Sequence, residues 1–213
     1  MPGSITSDII RPPAPPRGGG YGGGGDGGSD HRGAHRRASM TGLMVLLAAT
    51  TMAFAAFTSA FVVRRGISDD WVALRLPPIV WVNTGVLLAS SLLLELARRS
   101  LRTGRRTAFN RYWTAATVLG FLFLIGQALA WRQLYAAGIF VATNPSSSFF
   151  YLLTAAHGFH ILGGLAALLY VDVQALRLQL GPGKRTAVDV SAVFWHFVDG
   201  LWLFLMLLFF VWG

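Results

Sequence analysis

Residues 190–213 read Val190-Ser-Ala-Val-Phe-Trp-His-Phe-Val-Asp-Gly-Leu-Trp-Leu-Phe-Leu-Met-Leu-Leu-Phe-Phe-Val-Trp-Gly213. The apolar run is long enough to cross a bilayer as a helix, which needs about 20 residues. It also carries His196 and Asp199. An ionisable group inside hydrocarbon costs about 2.5–3.5 kcal/mol on insertion scales, so Asp199 requires a partner or a purpose.

The same kind of run recurs four times upstream, at about 42–63, 78–97, 113–131 and 149–170, with the last at about 191–212. Each would be near 30 Å long as a helix, the thickness of the hydrocarbon core. A lone strand could not satisfy its backbone in lipid, so the expected form is a five-helix, all-α integral membrane bundle. Composition agrees, with 54% hydrophobic residues and a mean hydropathy of +0.53. The 213 residues leave no room for a separate soluble domain beside the spans. There is no cysteine. Disulfides, thiolate nucleophiles and Cys-ligated zinc or iron–sulfur clusters are therefore excluded.

Residues 1–40 have a different composition. Arg11-Pro-Pro-Ala-Pro-Pro16 leads into a Gly-rich run and then His31-Arg-Gly-Ala-His-Arg-Arg37. Such a segment cannot bury a core, so it reads as a disordered, solvated cytoplasmic tail and not as a nucleic-acid arm. The net charge of +9 resides in basic residues between the spans. With the N-terminus inside, 14 Lys and Arg face the cytoplasm and four (Arg64, Arg65, Arg75, Arg132) face outward. That bias places the N-terminus in the cytoplasm and the C-terminus in the periplasm of a bacterial plasma membrane.

Several polar residues fall inside the spans. Thr84, Leu88, Ser91 and Glu95 share a stripe of the second, and Glu95 precedes Arg98 and Arg99 by one turn, which suits a local ion pair. The fourth contains Ala156-His-Gly-Phe-His160. His157 and His160 with His196 are too few for haem or zinc chemistry without further ligands, so a hydrogen-bonded structural cluster is expected. His160 lies about 16 Å from the outer edge and Asp199 about 12 Å from the inner edge, so in a core ~30 Å thick they could meet. The expected buried polar cluster is His157, His160, His196 and Asp199, with Glu95 at the interface. In the first span Ala49, Ala53, Ala56 and Ala60 form a small-residue face suited to close helix contact. A transporter would be expected to show an inverted repeat with matched broken helices, and none is visible.

Four ordered stretches carry a family resemblance: Trp81-Val-Asn-Thr-Gly-Val-Leu-Leu-Ala-Ser-Ser91, Gly126-Gln-Ala-Leu-Ala-Trp-Arg-Gln-Leu134, the span from Asn144 to Gly164, and Phe194 to Gly213 with its W-H-F-V-D-x-x-W-L-F string. Together they resemble subunit III of the haem-copper respiratory oxidases, the cytochrome c oxidase type, in a short five-helix bacterial form. The resemblance implies a subunit with no catalytic centre, cofactor or metal of its own. It would pack on subunits I and II, which would hold haem and copper, and carry bound phospholipid. It would support assembly, stability and oxygen or proton access in aerobic electron transport and proton translocation. Subunit III of a quinol oxidase and a subunit III-like accessory protein of a nitric oxide reductase share the resemblance. The family often carries a glutamate where Thr50 stands, so no role of that carboxylate transfers.

The charge bias generates a direct test. A reporter active only in the periplasm should be silent when fused at residue 30 and active when fused after residue 213; the opposite pattern would invert the topology.

Overall fold

The computed structural model describes residues 27–67, 71, 76–177 and 185–212; the side chains of residues 27–36 and 185 stand outside that description. The Pro/Gly-rich residues 1–26, Arg75 and Lys184 also lie outside it. Five α-helices follow in order: α1 (Gly27–Ile67), α2 (Pro78–Arg102), α3 (Arg106–Ala136), α4 (Pro145–Leu176) and α5 (Arg185–Trp212). All five are long and apolar enough to cross a membrane.

The helices run beyond the apolar segments that announced them. Helix α1 begins at Gly27, inside the stretch expected to be a disordered tail, and reaches 41 residues. The cause is common to all five. Apolar runs mark the part within hydrocarbon, but once a helix is nucleated each further residue adds a hydrogen bond. Ala and Arg in 34–38, and Arg in 98–102, are good helix formers in water as well.

Helix ends follow local chemistry. Asn144 caps α4, its side chain accepting from the Ser147 N–H at 2.9 Å while the Ser147 hydroxyl accepts from the Asn144 N–H, with Pro145 in the first turn. The α2–α3 turn needs Gly104, whose φ of 75° would strain any residue bearing a Cβ.

Helix α5 is the centre of the bundle, touching α1, α2 and α4. Helices α2 and α3 form a close hairpin, α3 packs on α4, and α1 rests on α4 and α5. The seams are set by small residues facing large ones. A Cβ on Gly120 of α3 would lie 2.7 Å from Trp195 Cη2 and 2.8 Å from Leu165 Cδ2. A Cβ on Gly164 of α4 would lie 3.0 Å from Trp195 Cε3. The Trp195 ring thus occupies a slot floored by two glycines, and it is fully buried. Trp113, Trp202 and Phe123 complete the large buried core.

At the bundle end where α1 and α5 finish, the Arg65 guanidinium lies over the Trp212 ring at 5.3 Å and Trp81 packs edge-on to Phe210. These amphipathic rings suit the boundary between hydrocarbon and headgroups.

Overfilling the slot should be costly. Gly120→Ala is expected to lower thermal stability in detergent by about 1–3 kcal/mol, since the buried Trp195 ring has nowhere to shift. Gly158→Ala, where the added methyl meets nothing within 4 Å, should be neutral or slightly stabilising. Equal losses in both variants would remove the slot as a determinant of packing.

Candidate functional site

A file of polar side chains runs between α2 and α5 from one bundle end toward its middle. At the end, Arg98 bridges Glu95 and Asp189, each at 3.2 Å, and Arg99 reaches Glu95 at 3.3 Å. These groups are partly exposed, so water shares the pairing and each pair contributes little stability alone.

Two helical turns further along α5 stands His196. Its Nδ1 lies 2.5 Å from the Ser91 hydroxyl. Ser91 also approaches the Asp199 carboxyl without closing a hydrogen bond to it. The hydroxyl has one proton to give. If His196 Nδ1 is bare, Ser91 donates to it; if Nδ1 carries the proton, Ser91 accepts and can turn its own toward Asp199. The trio therefore has two hydrogen-bond arrangements related by a proton on His196.

Beyond Asp199, the Trp202 indole donates to the Thr84 hydroxyl at 3.0 Å. The Trp202 ring lies 4.9 Å from the His157 ring, tilted by 32°, and Phe123 meets both edge-on. One turn along α3 from Phe123 is Gln127; one further turn is Trp131, which donates to Thr154, three residues before His157. Gln127 and His157 therefore sit at one level of the α3–α4 seam. His157, Gln127 and Asp199 are buried, and their side-chain polar atoms lack partners among the described residues. An unmade hydrogen bond at a buried group costs about 1–3 kcal/mol, so this interior is held together by the surrounding packing rather than by its own polar contacts.

The expected His160–Asp199 pairing is not formed. His160 Nδ1 lies 2.8 Å from the Ala156 carbonyl on its own helix, and its ring packs edge-on to Phe54 of α1 at 5.6 Å. Axial depth had suggested the contact, but azimuth decides it. His157 and His160 differ by about 60° around the helix. That rotation turns His157 toward α3 and α5 and leaves His160 facing α1. The cluster as found is Ser91, His196 and Asp199 near α2, with His157 beyond Trp202, Glu95 at the rim, and His160 apart. The stripe on α2 also passes through buried Leu87, while Leu88 is exposed.

Three participants had gone unnoticed in the sequence. Asp172 is buried near the end of α4 and accepts from Thr114 at 2.7 Å. An acid in a helix is the signal, but it stands just beyond the apolar run of about 149–170. Gln127 and the Trp202–Thr84 bond gave no signal beyond ordinary intramembrane polarity. Between α1 and α5, a groove of about 390 Å³ is lined by Thr51, Phe54, His196, Phe197 and Phe204 among others. Among the described residues no group of three or more His, Asp and Glu is placed to hold a metal ion. The Ser91, His196 and Asp199 side chains can hold a proton in either of two hydrogen-bond arrangements.

Comparison with known proteins agrees in extent as well as in motif. The profile of the family described as cytochrome c oxidase subunit III matches residues 27–213. A protein of Mycobacterium tuberculosis named probable cytochrome c oxidase subunit 3 is 31% identical over 170 residues, covering 76% of this chain and 82% of the relative. One of Thermostichus vulcanus, named cytochrome c oxidase subunit 3, is 28% identical over 188 residues, covering 83% and 89%. The match thus takes in all five helices, the glycine slot and the polar file, and the chain belongs to the cytochrome c oxidase subunit III family.

Proposed function

We propose that the chain acts as the non-catalytic subunit III of a terminal haem-copper oxidase, multi-pass in a bacterial plasma membrane with its N-terminus in the cytoplasm. The carrying observation is the match to the subunit III family across every described helix. The relatives bear cytochrome c oxidase names, which disfavours the quinol oxidase and nitric oxide reductase readings. Haem and copper belong, on this reading, to subunits I and II. The chain supports their assembly and stability and conditions oxygen and proton access.

Two features support that role. The first is the free face of α1. Ala49, Ala53, Ala56 and Ala60 are exposed, although small residues in a membrane helix allow backbones to approach closely. This is the face offered to a partner subunit. The second is the α2–α5 file, whose charged end begins at Glu95, Arg98 and Asp189 and whose inner end holds Asp199. A row of groups able to pass a proton along suits a subunit that buffers protons beside a proton-translocating partner.

Replacing Ala53 or Ala56 with Leu should reduce the amount of haem-bearing subunit I that co-purifies with the chain, while the chain itself inserts normally. Unchanged haem content per chain in both variants would place the interface elsewhere.

Within the file, Ser91→Ala should cost about 1–2 kcal/mol of thermal stability, because His196 loses its partner. Asp199→Asn should cost less, since the carboxyl has no hydrogen bond to lose. The reverse order, measured by thermal denaturation of the detergent-purified complex, would mean that Asp199 carries the stronger interaction.

A further inference from the structure

The turn between α2 and α3 opens on a pocket of about 770 Å³ whose lining includes Gly104, Arg105, Arg106, Thr107, Arg111 and Tyr112. Its arginines differ from those of the neighbouring file. Arg98 and Arg99 are engaged by Glu95 and Asp189. Arg105, Arg106 and Arg111 are exposed and make no ion pair among the described residues. Three guanidinium groups line the pocket, and among the described residues no acid pairs with them.

What lies along the helix from the pocket identifies the occupant. Arg111, Val118, Leu122 and Ile125 follow one another at intervals of seven, four and three residues, which keeps them on one face of α3. The opposite face is committed to the core by Phe109, Trp113 and Phe123. Val118, Leu122 and Ile125 are respectively 51%, 47% and 57% exposed. With Leu129, 43% exposed on the same face, the apolar stripe from Val118 rises about 16 Å, close to the ~15 Å depth of one leaflet's hydrocarbon. A basic pocket thus sits directly above an uncovered apolar stripe of a lipid's length. Tyr112, which lines the pocket and is exposed, is an amphipathic residue suited to the boundary between them.

We infer that this pocket binds the headgroup of an anionic phospholipid, with the acyl chains lying along Val118, Leu122 and Ile125. Arginine suits the task because its planar fork donates to two phosphate oxygens at once, and a second acidic or hydroxyl-bearing headgroup substituent can reach the remaining guanidinium. Clustered arginines at a membrane surface attract anionic lipid with an energy that adds per residue. The site rests on the chain spanning a membrane. It does not depend on the oxidase assignment or on the direction of insertion.

The test uses the purified complex containing the full chain, titrated with phosphatidylglycerol or phosphatidylcholine and read by native mass spectrometry. The triple variant Arg105→Gln/Arg106→Gln/Arg111→Gln is compared with Arg99→Gln/Arg102→Gln/Arg177→Gln, which removes the same charge outside the pocket. The wild type and the control triple should prefer phosphatidylglycerol, and the pocket triple should bind it about tenfold or more weakly. Equal phosphatidylglycerol binding by the two triples would overturn the site. So would loss of a partner subunit from the pocket triple with lipid preference intact, which would assign the arginines to a protein contact. If the pocket triple fails to fold, photoreactive phosphatidylglycerol on the wild type decides the matter. Crosslinks concentrated in residues 104–125 support the site, and crosslinks elsewhere refute it.

Discussion

Hydrocarbon offers no hydrogen-bond partner, and this constraint shapes the bundle more than any other. The helices satisfy their own backbones, and a polar side chain inside has only nearby carbonyls and polar side chains to bond. Several do so across helix seams. Asn83 donates to the Phe123 carbonyl, Ser90 to the Ala116 carbonyl and Trp113 to the Leu168 carbonyl. Each bond ties two helices at a defined level, fixing register where apolar packing alone would let them slide. A Cβ on Gly126 would collide with the Asn83 side chain, so the first of these ties also demands a glycine opposite it.

The same constraint gives α5 its central position. Its two inward tryptophans serve different purposes. Trp195 fills the slot made by Gly120 and Gly164 and so locks α5 to α3 and α4 by shape. Trp202 uses its indole N–H on Thr84 and its ring on His157 and Phe123, linking α2, α3 and α4 around one residue. Between the two lies Asp199, in the stretch of α5 whose position is most rigidly determined. A buried acid beside a serine–histidine pair is tolerable there because the packing around it does not depend on its charge.

The outward surfaces divide by chemistry. Helix α1 presents small side chains, suited to another helix at close range. Helix α3 presents arginines above bulky aliphatics, suited to lipid. The groove between α1 and α5 brings His196 to the edge of the bundle, so the polar file has an apolar side entrance as well as a charged end. On the proposed reading, the chain would act on its partner subunits through the α1 face, through lipid held at α3 and through protons held along α2 and α5.

Apolar run length alone determined the number of spans, because a bilayer imposes one thickness on every crossing. The ordered motifs around Trp81, Gly126, His157 and Asp199 were enough to indicate the family, since they survive as residue strings without any geometry. Helix ends were less legible: the Arg-rich flank 98–102 has no apolar signal yet propagates α2. Partners across seams were not legible at all. Depth along a helix follows from counting residues, and on that scale His160 and Asp199 matched. Which way a side chain faces depends on how five helices rotate against one another, and that rotation is set by pieces distant in sequence, such as Gly120 and Gly164 receiving Trp195. Tertiary packing therefore chose Ser91 for His196, turned His157 inward and His160 toward α1, and left three arginines gathered over an apolar stripe.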